Sequence, residues 1–292
     1  MRRTAVYNAP PVEIPYSVSS EENVISKASR ENFPVASRLL PRVYRDHLLA
    51  VYGFARFVDD IGDDAAPAER LRLLDAVESD LFRLYGGGAP RLWPTQALAR
   101  TIEIHSIPAE PFHRLVEANR RDQTVTRYDT FDDLLGYCEL SANPIGHIVL
   151  HLFGMATPPR LALSDRVCSA LQIVEHCQDV GDDYRRGRVY LPGEDLRRFG
   201  CSEDDLAGGI TPARLRHVVA VQVVRAAGLL KDGAPLVASL TGFARAAVAG
   251  YIAGGHATVS ALRRSDHDVL GRTIRPHRTR LLTAWLRILT AR

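Results

Sequence analysis

The amino-acid sequence predicts an all-α protein that folds as a single helical bundle. Apolar residues recur at three- and four-residue intervals over residues 39–61, which is the pattern of an amphipathic helix. Alternating β-branched runs of strand length are scarce, and the best candidate, residues 217–224, continues into a helix-like segment. Glycines and prolines, as in residues 86–90, separate the periodic segments where helical hairpins need turns.

Similar periodic segments follow one another along the chain. They predict helices at residues 39–61, 70–85, 96–105, 131–154, 164–184, 212–230, 244–262 and 279–289. Residues 1–20 contain three prolines and no apolar stretch of the kind found in a signal peptide, so they are predicted to form a loose tail. Residues 21–292 are predicted to form one domain.

The composition argues against several classes of protein. Hydrophobic residues make up 46% of the 292 residues, which is enough for a substantial core, and the net charge of +3 is too small to indicate a nucleic-acid partner. The four cysteines have neither zinc-type spacing nor the density of a disulfide scaffold. No apolar stretch reaches the roughly 18 residues that cross a membrane. The sequence therefore predicts a cytoplasmic protein.

Two carboxylates at the end of the first predicted helix indicate a cation. Asp59 and Asp63 are four residues apart, so on a helix they lie one turn apart on the same face and repel each other. Arg56, one turn upstream, supplies a single positive charge. A magnesium ion that is bound by carboxylates and by substrate phosphates would balance the pair. Taken alone, the pair is equally compatible with a polar helix end.

The same spacing returns about 120 residues later, at Asp179 and Asp183. Gln172 and Glu175 precede this pair on a predicted continuous helical stripe, and Arg188 follows it. Two such helices can face each other across a bundle, which predicts a cavity with two acidic walls that holds magnesium and a diphosphate. The arginine is available to neutralise diphosphate oxygens.

A lipophilic diphosphate fits this arrangement best. The sequence contains no glycine-rich phosphate loop of a recognised type, and a bundle core can be hollowed into an apolar channel. Metals would stabilise the leaving diphosphate while a dry cavity protects the carbocation. The predicted substrate is therefore a prenyl diphosphate.

Four blocks of sequence carry a resemblance to a known family. They read ENFPVASRLLP at residues 31–41, YGFARFVDDIGDD at 52–64, YCELSANPIG at 137–146 and LQIVEHCQDVGDDYRRGRVYLP at 171–192. In this order and spacing, the chain resembles the squalene/phytoene synthase family of head-to-head prenyl synthases over roughly residues 25–270. The resemblance implies an isoprenoid-synthase-type bundle with a central cavity.

The resemblance also implies roles for individual residues. It makes Asp59, Asp63, Asp179 and Asp183 the catalytic, magnesium-binding aspartates, which hold two or three Mg²⁺ ions together with the diphosphate. The implied substrate-binding residues are Ser37, Arg56, Glu139, Asn143, Gln172, Glu175, Arg188 and Tyr251. Glu175 stands where the family generally has Asn, so the second metal site is expected to carry an extra negative charge.

Within the family, the chain is most similar to the bacterial hydroxysqualene synthases of hopanoid pathways. This similarity implies that presqualene diphosphate is ionised and that water captures the cation, so no NADPH is expected. Glu139 and Glu175 are predicted to help position the water. One alternative is an enzyme that condenses two prenyl diphosphates to phytoene, dehydrosqualene or presqualene diphosphate. Another is a non-catalytic helical binding or assembly factor, which we would expect to have lost the four aspartates.

The C-terminal segment is strongly basic. Residues 269–292 contain six arginines and no acidic residue. On a helix, the apolar residues of this segment would share one face: Leu281, Leu282, Trp285, Leu286 and Leu289. The segment is predicted either to dock onto the bundle or to lie on an anionic surface, the inner face of the membrane.

Overall fold

The computed structural model describes residues 40–290, and their backbone is mainly helical. The helices are α1 (Arg42–Asp64), α2 (Arg70–Tyr85), α3 (Trp93–His105), α4 (Glu110–Arg121), α5 (Phe131–Ser141), α6 (Asn143–Leu152), α7 (Pro158–Gln178), α8 (Val180–Arg185), α9 (Gly193–Arg198), α10 (Asp204–Ala207), α11 (Ala213–Gly233), α12 (Pro235–Ser239), α13 (Gly242–Arg264) and α14 (Arg278–Thr290). Within residues 40–290 there is no strand, and a single isolated bridge pairs Arg127 with Val189. The all-α prediction is confirmed. The predicted tail, residues 1–20, and Ser37 lie outside the described residues.

Two of the predicted helices are divided. Residues 131–154 form α5 and α6, because Pro144 in the first turn of α6 has no N–H for a continuing helix. The second division falls at Asp179, between α7 and α8, where φ is −103° and ψ is 14°. The predicted continuous stripe through Asp183 is therefore wrong at this point. The Asp183 N–H still donates to the Asp179 carbonyl oxygen at 2.8 Å, so the two aspartates stay one turn apart.

The helix predicted for residues 212–230 is confirmed, because α11 includes residues 217–224, the best strand candidate. The sequence does not predict α4, in which polar residues outnumber apolar ones. Its few apolar side chains nevertheless pack into the core, and Phe112 is fully buried.

The described residues form three hydrophobic cores, of which two are large. Helices α1 to α4 form one core around Phe54 and Phe57, and α7, α11 and α13 contribute to the other. The second core depends on close contact between α7 and α11. A Cβ atom on Gly233, at the end of α11, would lie 2.6 Å from Val167 Cγ2 and 3.0 Å from the Leu163 carbonyl oxygen. Only a residue without a side chain lets the helices approach this closely.

The C-terminal helix, α14, docks against α13. The Trp285 indole N–H donates to the Ala246 carbonyl oxygen at 2.9 Å, and Arg245 donates to the carbonyl oxygen of Leu289 at 3.0 Å. Leu282 and Leu286 remain about half exposed. One of the two predicted arrangements, docking onto the bundle, is therefore present, and contact of this helix with a membrane stays a prediction. None of the helices within residues 40–290 has the length and hydropathy needed to cross a membrane.

Substitution at Gly233 tests the packing of α7 on α11. We expect Gly233→Ala to lower the free energy of unfolding by about 1–3 kcal/mol, because the new methyl group meets backbone atoms of α7. Gly228 lies on the same helix, and no atom comes within 4 Å of the position that a methyl group there would take. Gly228→Ala should therefore raise the free energy of unfolding by about 0.5–1 kcal/mol. Urea unfolding measures both changes. Equal effects of the two substitutions would contradict the close contact.

Candidate active site

A cavity of about 280 Å³ lies between α1, which carries the first acidic pair, and α7, which ends just before the second pair. Helix α1 lines one wall, and α7 lines another, while α6 and α13 contribute mainly apolar side chains. Along both α1 and α7 the lining changes from apolar to polar towards the C-terminal end. Arg56 and Asp59 are the last lining residues of α1, and Gln172 and Glu175 are the last of α7. The cavity is therefore apolar in its body and polar at one end.

Asp59 faces this polar end. Asp59 is exposed on the side of the cavity, although many protein atoms lie near its carboxyl group. Burial raises the pKa of Asp59 to about 6, and Asp63 adds to the increase. The Asn119 amide N–H donates to Asp59 Oδ1 at 3.0 Å. This hydrogen bond lowers the pKa of Asp59 and so offsets part of the increase. A carboxylate in this environment favours the approach of a cation.

Asp63 is instead held by arginines that follow the second acidic pair. Arg188 donates to Asp63 Oδ1 at 2.6 Å, and Arg186 donates to Oδ2 at 3.2 Å. The Arg188 side chain is only 11% exposed. The contact joins positions 125 residues apart in the chain, and it brings the ends of the two acidic motifs together.

Arg56 pairs with a residue that the sequence pattern does not single out. Its Nε lies 2.7 Å from Oδ1 of Asp60, whose side chain is fully buried. Arg56 still lines the cavity, so it stays a predicted contact for substrate. Its positive charge also offsets part of the increase in the pKa of Asp59.

The second pair lies beyond Glu175, outside the cavity lining. Burial raises the pKa of Asp179 to about 6, and the neighbouring carboxylates Asp183 and Asp182 raise it further. Asp183 Oδ2 is 3.7 Å from Nδ1 of His176. The two pairs therefore share one end of the bundle, and the pKa of one carboxylate in each pair is raised.

The donor set fits magnesium, although its side chains are not gathered around one point. Within residues 40–290, no cluster of three or more His, Cys, Asp or Glu side chains forms a complete metal site. Magnesium usually takes one or two carboxylates and completes its octahedron with water and substrate phosphates, so a complete cluster is not required. Asp59 and Asp179 offer oxygen donors in surroundings that disfavour their negative charge. Metal binding by the four aspartates stays a prediction.

The other predicted residues divide into two groups. Gln172, Glu175 and Tyr251 line the cavity, and Gln172 Nε2 lies 3.2 Å from the ring of His176. Asn143 and Glu139 do not line it. The buried Asn143 accepts a hydrogen bond from Ser169 at 3.0 Å, and Glu139 is exposed on α5. The structure therefore does not bring Asn143 or Glu139 to the cavity.

Sequence reasoning missed a buried polar cluster beside the site. Asp122 accepts hydrogen bonds from the hydroxyl groups of Tyr137 at 2.6 Å and Tyr190 at 3.0 Å, and burial raises its pKa. The Tyr190 ring stacks on His176 at 3.8 Å. The cluster supports Arg188, whose charge faces Asp122. The tyrosines lie in two of the four sequence blocks, whereas Asp122 follows two arginines and resembles a solvated charge run.

Comparison with known proteins identifies the family of this chain. The family profile described as Squalene/phytoene synthase matches residues 26–282. The chain belongs to the squalene/phytoene synthase family. It is an enzyme of that family, with the all-α fold that the resemblance implies.

The chain is similar to individual members of more than one branch of the family. The hydroxysqualene synthase of Rhodopseudomonas palustris is 37% identical over 214 residues, which are 72% of this chain and 71% of the relative. The 15-cis-phytoene synthase of Synechococcus elongatus is 33% identical over 213 residues, covering 67% and 68%. The crystal structure of squalene synthase HpnC from Alicyclobacillus acidocaldarius aligns with a TM-score of 0.76 and 38% identity, covering 87% of this chain and 97% of that one.

The contact between Asp63 and Arg188 makes a testable contribution to stability. We expect Asp63→Asn to lower the free energy of unfolding of the metal-free protein by about 1–2 kcal/mol, because a largely buried guanidinium loses its charged acceptor. Asp182→Asn removes the same charge from an exposed pair with Arg185 and should change stability by less than about 0.5 kcal/mol. Urea unfolding in the presence of a chelator compares them. A larger loss for Asp182→Asn would contradict the structural role of Asp63.

Proposed function

We propose that the protein is a magnesium-dependent hydroxysqualene synthase, which ionises presqualene diphosphate and captures the cation with water. The observation that carries the proposal is an apolar cavity whose polar end is lined by Asp59, while the contact of Asp63 with Arg188 brings the ends of the two acidic motifs together next to it. The polar end suits a diphosphate, and the apolar body suits a hydrocarbon chain. The identity to hydroxysqualene synthases supports this branch of the family.

The diphosphate would be held where the two motifs meet. Asp59, Asp63, Asp179 and Asp183 are the proposed magnesium ligands, and magnesium would supply Lewis-acid stabilisation of the leaving diphosphate. Arg188 and Arg186 already meet at this end through Asp63. A diphosphate offers several oxygens that compete with Asp63 for these guanidiniums. Binding of the substrate would therefore free Asp63 from its ion pairs.

The cavity walls would protect the cation. Side chains such as Leu48, Val149 and Leu171 exclude water from the body of the cavity. The aromatic rings of Tyr52 and Tyr251 also line it, and ring faces attract positive charge. An apolar wall with a few aromatic rings lets a carbocation survive long enough to rearrange.

Water capture requires a polar group inside this cavity. Of the two glutamates predicted for this role, Glu175 lines the cavity and Glu139 does not. In the proposed step, a water oxygen forms a bond to the cationic carbon while one of its protons passes to the Glu175 carboxylate. No hydride donor takes part in this step, so NADPH is not expected in the reaction.

A second candidate is a synthase that joins two prenyl diphosphates. The identity of 33% to a 15-cis-phytoene synthase favours it, since that relative covers a similar share of the chain. Such an enzyme would use the same acidic pairs but would release a hydrocarbon or presqualene diphosphate. The two candidates therefore differ in substrate and in whether oxygen enters the product.

Incubation with presqualene diphosphate and magnesium, without NADPH, tests the proposal. We expect a hydroxylated C30 product by mass spectrometry, and a loss of about 100-fold or more in its rate of formation in Asp59→Asn and Asp179→Asn. Asp182→Asn, which alters an exposed carboxylate of the second motif, should retain activity. If presqualene diphosphate is returned intact while farnesyl or geranylgeranyl diphosphate is condensed, the second candidate is correct.

Replacement of Glu175 tests the step of water capture separately. In Glu175→Gln, we expect diphosphate release to continue while formation of the alcohol falls by at least about 10-fold, because the water loses its proton acceptor. Alkene products should rise correspondingly, since a proton is then lost from carbon. Glu139→Gln, on the outside of α5, is the matched control and should give the wild-type products. A product change in Glu139→Gln but not in Glu175→Gln would assign water capture to Glu139 instead of Glu175.

A further inference from the structure

The two carboxylates of the first acidic pair have different partners. Asp63 is bound to guanidinium groups, whereas Asp59 accepts a hydrogen bond from the neutral amide of Asn119 at 3.0 Å. The hydrogen bond engages Oδ1 of Asp59 and not Oδ2. An amide can hold a carboxylate in place without cancelling its charge, and a guanidinium cannot.

The Asn119 amide is itself fixed. Its second N–H donates to the Leu115 carbonyl oxygen at 3.2 Å, so both hydrogens of the amide nitrogen have acceptors. The residue is 8% exposed. At the next turn, Gln123 donates to the carbonyl oxygens of Asn119 at 2.9 Å and Gly62 at 3.2 Å. These bonds fix α4 against α1 at the level of Asp59.

Gly62 leaves the space that Asn119 occupies. A Cβ atom at position 62 would lie 2.2 Å from Oδ1 of Asn119 and 3.1 Å from its Cγ. Gly62 lies in the last turn of α1, and glycine has a lower helix propensity than every residue except proline. The glycine between the two aspartates therefore has a local reason, which is the side chain packed against it from α4.

We propose that Asn119 is a positioning residue that orients the Asp59 carboxylate for magnesium, and that Gly62 provides the space for it. This inference rests on the proposed function, because it requires Asp59 to bind the metal. Partners that hydrogen-bond to a metal ligand orient it before the metal binds, and their loss typically weakens metal affinity 10- to 100-fold. Asn119 touches neither of the proposed reactants and acts through Asp59.

Calorimetric titration of Mg²⁺ into protein with excess inorganic pyrophosphate tests the inference without catalysis. We expect Asn119→Leu, which keeps the branched shape but removes the donor, to weaken Mg²⁺ binding by about 10- to 100-fold. In turnover assays, saturating Mg²⁺ should then restore most of kcat. Binding within twofold of wild type would overturn the inference. If the wild-type protein binds no Mg²⁺ in the presence of pyrophosphate, both the proposed function and this inference fail.

Thr101→Val controls for the structural effect of losing a buried hydrogen bond to α1. Thr101 Oγ1 lies 2.8 Å from His47 Nδ1, and this contact joins α3 to α1 through two residues that do not themselves line the cavity. The substitution should lower the unfolding midpoint and leave Mg²⁺ binding within twofold of wild type. If Mg²⁺ binding is weakened equally in Thr101→Val and Asn119→Leu, the role of Asn119 is structural only.

A double-mutant cycle keeps the inference testable if Asn119→Leu does not fold. Gly62→Ala should weaken Mg²⁺ binding in the wild-type background, because the methyl group displaces the Asn119 amide. In Asn119→Ala, the nearest remaining contact is the residue's own Cβ at 3.4 Å, an ordinary distance. Adding Gly62→Ala there should change binding by less than twofold. Effects that multiply across the two sites would contradict the inference.

Discussion

Negative charge concentrated at one end of an apolar cavity is the constraint on which the rest of this structure depends. Carboxylates that are surrounded by protein lose hydration and repel one another, so each requires a partner. The protein supplies different partners: the amide of Asn119 for Asp59, the guanidinium of Arg188 for Asp63 and the side chain of Arg56 for the buried Asp60. Asp59 has only a neutral partner of these three and lies where the cavity opens.

Packing of the helical bundle brings these carboxylates and their partners to one end of the cavity. Helices α1 and α7 line opposite walls, and both end at the polar side of the cavity. Close packing at Gly233 fixes α7 against α11, and Gly62 lets α4 lie close to α1. The segment after α8 is held by Tyr190, whose hydroxyl group donates to the buried Asp122, and Tyr137 donates to the same carboxylate. The first acidic pair thus lies on α1 and the second at the junction of α7 and α8, and packing outside the cavity holds both α1 and α7.

The same charges contribute to stability and to the proposed chemistry. The ion pair of Asp63 with Arg188 joins two distant parts of the chain, yet both residues are also proposed to contact metal and diphosphate. A substrate that takes over the guanidiniums replaces one acceptor with another, so the fold keeps its charge balance when the site is filled. Under the proposed function, native stability and binding would be linked through these two side chains.

The sequence alone determined the all-α class, the two acidic pairs and the family, because apolar periodicity and motif spacing are local properties of the chain. Tertiary structure decided the rest. Neither the bond from Asn119 to Asp59 nor the cluster at Asp122 is visible in the sequence, since each joins residues from separate helices. The choice between Glu139 and Glu175 also depended on the fold, because only packing determines which helix faces border a cavity.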